Sequence, residues 1–415
     1  MFKSITFLKT FKNEIFLGLL LVFPILPIGL IGFIGILFSF LIIFYNRKEI
    51  ISLKKRKRVF ISIAFYLTLI VSLSYSNNYN NGLKEVLKTI LLFVFPIAII
   101  LYAKIQTKHY QTLLMFYLII NILLCFYVFG LAIEILSFKK YTFLNNASLF
   151  KKIEVFLQTP YHIPFNWSSR DFKILLFFHK AYISMSLCLS ALIALYFLLH
   201  KKNKKHLSLL LFLAYIFFGY FIIYMSSIPN IFALVLGTFL IIVYKLNRKT
   251  NFIILGLIFL ISVFSFSSIK SFKNSIITRI KADFRIDLWD CAIDTVKDDL
   301  FLGIGFGDYD DGIINCYKSR DKNVYNKAVN SKMNSHNQYL SFIVSAGLVC
   351  LGLFAYLLID NIINSLARKD ILLLIFTLII ILNFCFENVL DRIYGIYFFS
   401  FFNSFFISRN LSIKY

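Results

Sequence analysis

The sequence predicts an all-α integral membrane protein of about twelve transmembrane helices with a large, partly helical outer loop. Three observations carry that prediction. Of its 415 residues, 59% are hydrophobic and only 15% are charged, whereas soluble domains hold about 45–50% apolar and about 25% charged residues. The apolar residues form long repeated runs, several near the ~20 residues a helix needs to cross a bilayer. They do not form the short alternating segments of a transmembrane barrel. The basic residues behind the net charge of +24 sit in short loops between these runs: Lys54-Lys55-Arg56-Lys57-Arg58, Lys201-Lys202-Asn203-Lys204-Lys205, Lys245 with Arg248-Lys249, and Arg368-Lys369. This is the positive-inside distribution of cytoplasmic loops, so topology and lipid contact account for the charge and no nucleic-acid partner is implied.

With the basic loops placed in the cytoplasm, the runs form a consistent zigzag. Residues 13–45 read as a hydrophobic hairpin broken by Pro24, Pro27 and Gly29, with basic flanks that require an even number of crossings. Spans follow near 59–74, 83–102, 110–137, 176–199, 207–225, 230–245 and 251–268, then near 338–359, 371–386 and 394–408. The organisation is therefore an N-terminal bundle over 1–268 of about nine spans, an outer loop over 269–337, and a C-terminal bundle over 338–415 of about three spans. No cleavable signal peptide is expected, because no small-residue cleavage site follows the first apolar run. Both long polar stretches, 138–175 and 269–337, fall on the non-cytoplasmic face. In the second, Asp283, Asp287, Asp290, Asp294, Asp298 and Asp299 balance the bases, as that side requires. Chemistry there has no nucleoside triphosphate or nucleotide sugar to draw on.

Cysteine usage agrees. Cys125, Cys188, Cys350 and Cys385 lie in apolar runs as packing residues. Cys291 and Cys316 share the large polar segment and are able to pair if it is extracytoplasmic.

The candidate functional residues cluster late in the chain. Arg285, Trp289, Ala292, Ile293 and Val296 recur at helical spacing, so an amphipathic helix along the membrane surface is expected there. Arg285 and Trp289 share a face, and Lys270, Lys273, Arg279 and Lys281 precede them. Together they would form a cationic patch suited to a lipid-linked pyrophosphate, which arginine binds bidentately, or one that merely touches anionic headgroups. Gly303-Ile304-Gly305-Phe306-Gly307 has no strand before it and no Gly-Lys-Ser/Thr after it, so it reads as a tight irregular turn and not a nucleotide loop. Asp308, Asp310, Asp311 and Gly312 have neither the spacing nor the closing Glu of a calcium loop, and no metal site or cofactor is expected. His336, in Ser335-His336-Asn337-Gln338-Tyr339-Leu340, stands where the polar loop meets an apolar span. An imidazole there can take a proton from a sugar hydroxyl near neutral pH, or it can serve as an interfacial residue. Asn337 is placed to cap the following helix or to orient a substrate. His179 and Tyr182 mark the outer end of another span, as substrate contacts or as anchors in the aromatic belt.

These residues, in order, resemble the bacterial O-antigen ligase and polymerase family: Arg285-x-x-x-Trp289, Leu302-Gly303-Ile304-Gly305-Phe306-Gly307, the run 335–340, and Ala346-Gly347-Leu348, with His179-x-x-Tyr182-x-Ser184 upstream. The resemblance implies a GT-C-like fold in the inner (cytoplasmic) membrane and a metal-independent, inverting glycosyltransferase working on the periplasmic face. It would move a glycan from undecaprenyl pyrophosphate to another glycan or to lipid A-core, with His336 as base and Arg285 as pyrophosphate ligand. Where family members usually carry an arginine in a middle span, this chain reads Ser226-Ser227-Ile228-Pro229-Asn230. Arg279 or a nearby lysine would substitute, or the phosphate would be held differently. A lipid-linked glycan transporter would instead line several spans with charge. Here the spans carry few charges, Glu134 being one, and polarity concentrates in one outer loop.

Overall fold

The structure is a computed structural model that describes residues 13–47, 53–103, 107–137, 180–200, 204–225, 227–245, 285–320, 328–330 and 333–412. Among these residues it is helical throughout, with no strand. Eight stretches are long and apolar enough to cross a membrane: Ile28–Asn46, Lys55–Tyr75, Tyr79–Tyr102, His109–Val128, Ala181–His200, Lys205–Ile223, Ile228–Lys245 and Gln338–Ala367. The expected span at 251–268, the polar stretch at 138–175 and residues 269–284 lie outside the described residues. The hairpin expected over 13–45 is present as α1 (Asn13–Ile25) and α2 (Ile28–Asn46), parted at Pro24 and Pro27. The expected span at 371–386 is the helix Ile371–Phe384. At ~1.5 Å per residue its fourteen residues reach roughly 21 Å, short of a ~30 Å hydrocarbon core.

Two compact units interleave along the chain, one from 1–56, 94–235 and 393–415 and the other from 57–93 and 236–392. In the first unit the helices include α1, α2, α6 (Thr107–Ser137), α7 (Lys180–His200), α8 (Lys205–Tyr224) and α14 (Ile393–Ser412). Nearly every residue of α14 is buried, as expected of a helix that is apolar all round. Its rings organise the core: Tyr397 lies 4.6 Å from Phe23 and 4.8 Å from Phe95, and Phe402 lies 4.8 Å from Tyr117. Pro24 has no N–H to give the carbonyl of Leu20 four residues back. The hydroxyl of Tyr397 donates to that carbonyl instead, at 2.8 Å. Tyr397→Phe should therefore destabilise the protein by about 1 kcal/mol, because a buried carbonyl loses its donor; a lowered thermal midpoint in detergent checks this.

The second unit includes α4 (Tyr79–Lys88), α10 (Arg285–Val296), α11 (Tyr309–Ser319), α12 (Gln338–Ala367) and α13 (Ile371–Phe384). Leu288, Cys291, Ala292 and Val296 of α10 pack with Tyr309, Ile313 and Tyr317 of α11 and Val344 of α12. The amphipathic helix expected from sequence is thus present, but Ile293 is on its exposed side. Cys291 and Cys316 form a disulfide that staples α10 to α11. Its 25-residue separation makes the cross-link worth about 3–4 kcal/mol in the chain-entropy account. At the opposite end of α12, Arg58 and Asp360 pair at 2.7 Å. Lys369 at φ +51° turns the chain into α13, whose first turn is capped by Asp370.

Helix α12 breaks eight residues in, at Ala346 and Gly347 (φ +72°). The backbone groups freed there are taken up by the loop before α11: Ile304 N donates to Val344 O at 2.8 Å, and Leu348 N donates to Leu300 O at 2.9 Å. Two glycine motifs distant in sequence are therefore the two halves of one contact. A Cβ on Gly303 would lie 2.6 Å from Val344 O, and one on Gly347 would lie 2.0 Å from Phe301 O. The loop then continues across the turn before α4. Asp308 accepts the backbone N–H groups of Asn77 and Asn78, each at 2.7 Å, and a Cβ on Gly305 would strike Ser76. The sequence reading of this stretch as an irregular turn holds, with Gly303 and Gly305 at positive φ. Asp308 holds the turn that leads into α4, whose own N-cap is Asn78.

Candidate functional site

The polar run 334–338 is clamped to the turn between α13 and α14 at several points. Asn337 is the N-cap of α12, its side-chain oxygen accepting from Tyr339 N and Leu340 N at 3.0 and 3.2 Å. Gln338 Oε1 accepts from Leu390 N at 2.7 Å. Ser335 N donates to the hydroxyl of buried Tyr309 at 3.1 Å, and Ser335 Oγ donates to Asn337 O at 3.1 Å and sits 3.3 Å from Asn388 Oδ1. Asn388 Nδ2 donates to the same tyrosine hydroxyl at 2.9 Å. Asn334 Nδ2 donates to Asp391 at 2.6 Å, while its Oδ1 accepts the backbone N–H of His336 at 3.0 Å.

Amid these tethers the ring of His336 is held differently. Its backbone sits at φ +48°, a left-handed conformation that costs a non-glycine residue about 1–2 kcal/mol and persists only where the surroundings fix it. Its Nδ1 lies 3.3 Å from Glu387 Oε1, with both side chains largely enclosed, 25% and 15% exposed. The approach lacks hydrogen-bond geometry, so Nδ1 is a buried ring nitrogen with no hydrogen-bond partner among the described residues, and the nearest acid is Glu387.

Asp391 is the second acid at the site. Burial pushes its carboxyl from 3.8 up to about 7; Asp310 adds to the rise, and Lys88, Asn334 and Asn388 oppose it. The folded protein thus holds a proton that the unfolded chain releases, and stability falls as pH climbs from about 4 through about 7. The thermal midpoint should drop between about pH 4 and about pH 7 and level off above, and Asp391→Asn should flatten that slope. An unchanged slope in the variant would assign the titration elsewhere.

Neither acid was singled out from sequence. The signal was present as Glu387-Asn388-x-x-Asp391-Arg392, a polar island between two apolar runs. The other residues singled out from sequence are dispersed. Arg285 opens α10, half-buried, with Trp289 one turn on; the indole Nε1 is buried without a hydrogen-bond partner among the described residues. The core shared by Leu288 and Leu340 fastens this helix beside the start of α12. His179 and Arg279 lie outside the described residues. Tyr182 belongs to the first unit, 2% exposed, with its ring 5.9 Å from Tyr394; a lipid-facing belt position does not fit it. In the same unit Asn230, in the stretch that lacks the arginine, is fully buried and donates to Ser184 Oγ at 3.0 Å and Ser227 Oγ at 2.9 Å.

Residues 179–357 match the O-antigen ligase family model, a region that holds Arg285, the glycine loop, His336 and the break in α12. No curated protein matches the chain. Glu387 and Asp391 fall beyond the matched region. Enzymes of this family are ligases and polymerases of polysaccharide assembly with lipid-linked glycan substrates. Over residues 179–357, somewhat under half of its length, the chain is similar to the O-antigen ligase family.

Proposed function

We propose that this protein transfers a glycan from undecaprenyl pyrophosphate to an acceptor on the periplasmic face of the bacterial inner membrane, as an O-antigen ligase. The observation that carries the reading is His336, strained at positive φ inside a clamp of satisfied polar contacts, with Glu387 the acid nearest one ring nitrogen. The charge of Glu387 favours the proton on Nδ1, and Nε2 takes the proton from the acceptor hydroxyl. The acceptor oxygen bonds to the anomeric carbon as the bond from that carbon to the pyrophosphate breaks, on the opposite face, so configuration inverts. Arg285, with Arg279 and Trp289, would hold the departing pyrophosphate and its growing charge. The leaving group already stores the driving force, so the scheme needs no metal. Asn337, its oxygen committed to the helix cap, keeps its NH2 for substrate. The outer-face placement is supported by the Cys291–Cys316 disulfide, since such bonds persist in oxidising compartments.

A repeat-unit polymerase would use the same chemistry with a second lipid-linked glycan as acceptor. Deletion of the gene followed by electrophoresis of surface polysaccharide separates the two. Loss of all attached glycan is expected for a ligase, retention of a single repeat unit indicates a polymerase, and an unchanged profile overturns both.

A further inference from the structure

Resting on the glycan-transfer reading, we propose that a cavity of about 240 Å³ beside the His336 clamp is a subsite for one neutral sugar ring. Three amides from two segments line it, Asn78 and Asn81 at the start of α4 and Asn334 before α12, so it offers both donors and acceptors to hydroxyl groups. Asp310 and Asp311 stand exposed on its wall as hydroxyl acceptors. Met333, Ile313 and Ile314 give it an apolar side for the C–H face of a ring. Its volume falls just below the ~300–1,000 Å³ of drug-sized pockets, which suits one ring and not an oligosaccharide.

Electrostatics excludes an anionic occupant. The two carboxylates repel a phosphate, so the pyrophosphate has to sit elsewhere. A cation would meet Asp310 and Asp311 together with the amide oxygens, and EDTA and calcium distinguish it from a sugar.

The polar walls are fixed in advance. Asn78 Oδ1 accepts from Asn81 N at 3.2 Å and its Nδ2 donates to Asp311 at 3.1 Å, while Asn81 Nδ2 donates to Gly307 O at 3.1 Å. A ligand therefore meets a preformed surface and does not have to order it. Asn334 joins the cavity to the chemistry, because the same side chain accepts the His336 backbone N–H. The glycine loop thus has a second consequence: by docking on the turn before α4, it brings Asn78 and Asn81 to face Asn334.

Saturation-transfer NMR on the full chain in detergent tests this, with galactose and N-acetylglucosamine as neutral probes, glucose 6-phosphate as an anionic one, and EDTA present. Neutral sugars should receive saturation from the native protein and from His336→Ala alike, so binding is read whether or not His336 is the base. Ile314→Trp and Met333→Phe fill the cavity from different walls, and whichever of them folds should lose the signal. Glucose 6-phosphate should give less than either neutral sugar. No saturation of any neutral probe, a signal that survives filling, a stronger phosphate signal, or binding restored only by calcium would each overturn the proposal. In a reconstituted transfer assay, a raised KM for the acceptor or for the lipid-linked donor in the filled variant identifies which glycan the cavity holds.

Discussion

His336→Ala is expected to abolish glycan transfer in proteoliposomes while leaving the protein inserted and folded, a loss of about 10²–10⁴-fold for a general base. The expectation rests on what the ring does not do. Ser335, Asn337 and Gln338 each tether the run through their side chains, and Asn334 holds the His336 backbone. Removing the imidazole leaves all of these in place and takes away only its approach to Glu387, so a stability effect should be small. Glu387→Gln tests the arrangement from the other side. An amide cannot favour the Nδ1 proton as a carboxylate does, so the variant should lose activity in part and change the ¹⁵N shifts of the His336 ring, which report which nitrogen carries the proton. A merely structural role for Glu387 would leave those shifts alone. Wild-type transfer by His336→Ala would remove the residue from the mechanism.

What sequence conveyed and what it withheld follow from the range of the interactions. The amphipathic helix at 285–296 and the cap at Asn337 are local, set by residues within a turn of each other, and both were legible. The apolar runs were legible because burial in lipid demands them over ~20 residues. The length of Ile371–Phe384 was overestimated because apolar character continues past the point where Asn383 accepts the N–H groups of Phe386 and Glu387 and the helix ends. The acids opposite His336 lie some fifty residues further on, in a turn whose approach to residues 334–338 depends on how α12 and α13 pair. No periodicity announces such a contact. The glycines were recognised as backbone freedom, but the partner that needs it, Gly347 in the middle of an apolar helix, is forty residues away from Gly305.

Gly347→Ala is expected to have the largest effect on the fold of any methyl added at a described glycine. The new Cβ would sit 2.0 Å from Phe301 O and 2.3 Å from its carbonyl carbon. Both are backbone atoms and cannot swing aside as a side-chain end would. The residue also holds φ +72°, which alone costs an alanine roughly 1–2 kcal/mol. Relief requires the loop at 300–304 to withdraw, and withdrawal breaks the bonds from Ile304 N to Val344 O and from Leu348 N to Leu300 O. Those groups belong to a helix that enters the membrane, where an unpaired carbonyl has no water to turn to. The helix can straighten and restore its own bonding only by discarding the loop, and with it the hold of Asp308 on the turn before α4 and the approach of Asn78 to Asp311. The variant should therefore lose transfer activity and show raised protease sensitivity near residues 300–308, even if α12 itself remains inserted. Gly352→Ala, five residues on in the same helix with nothing within 4 Å of its added Cβ, is the control and should behave as wild type. If Gly347→Ala matched that control, the break in α12 would not depend on glycine, and the docking of the loop would have to be held by other contacts.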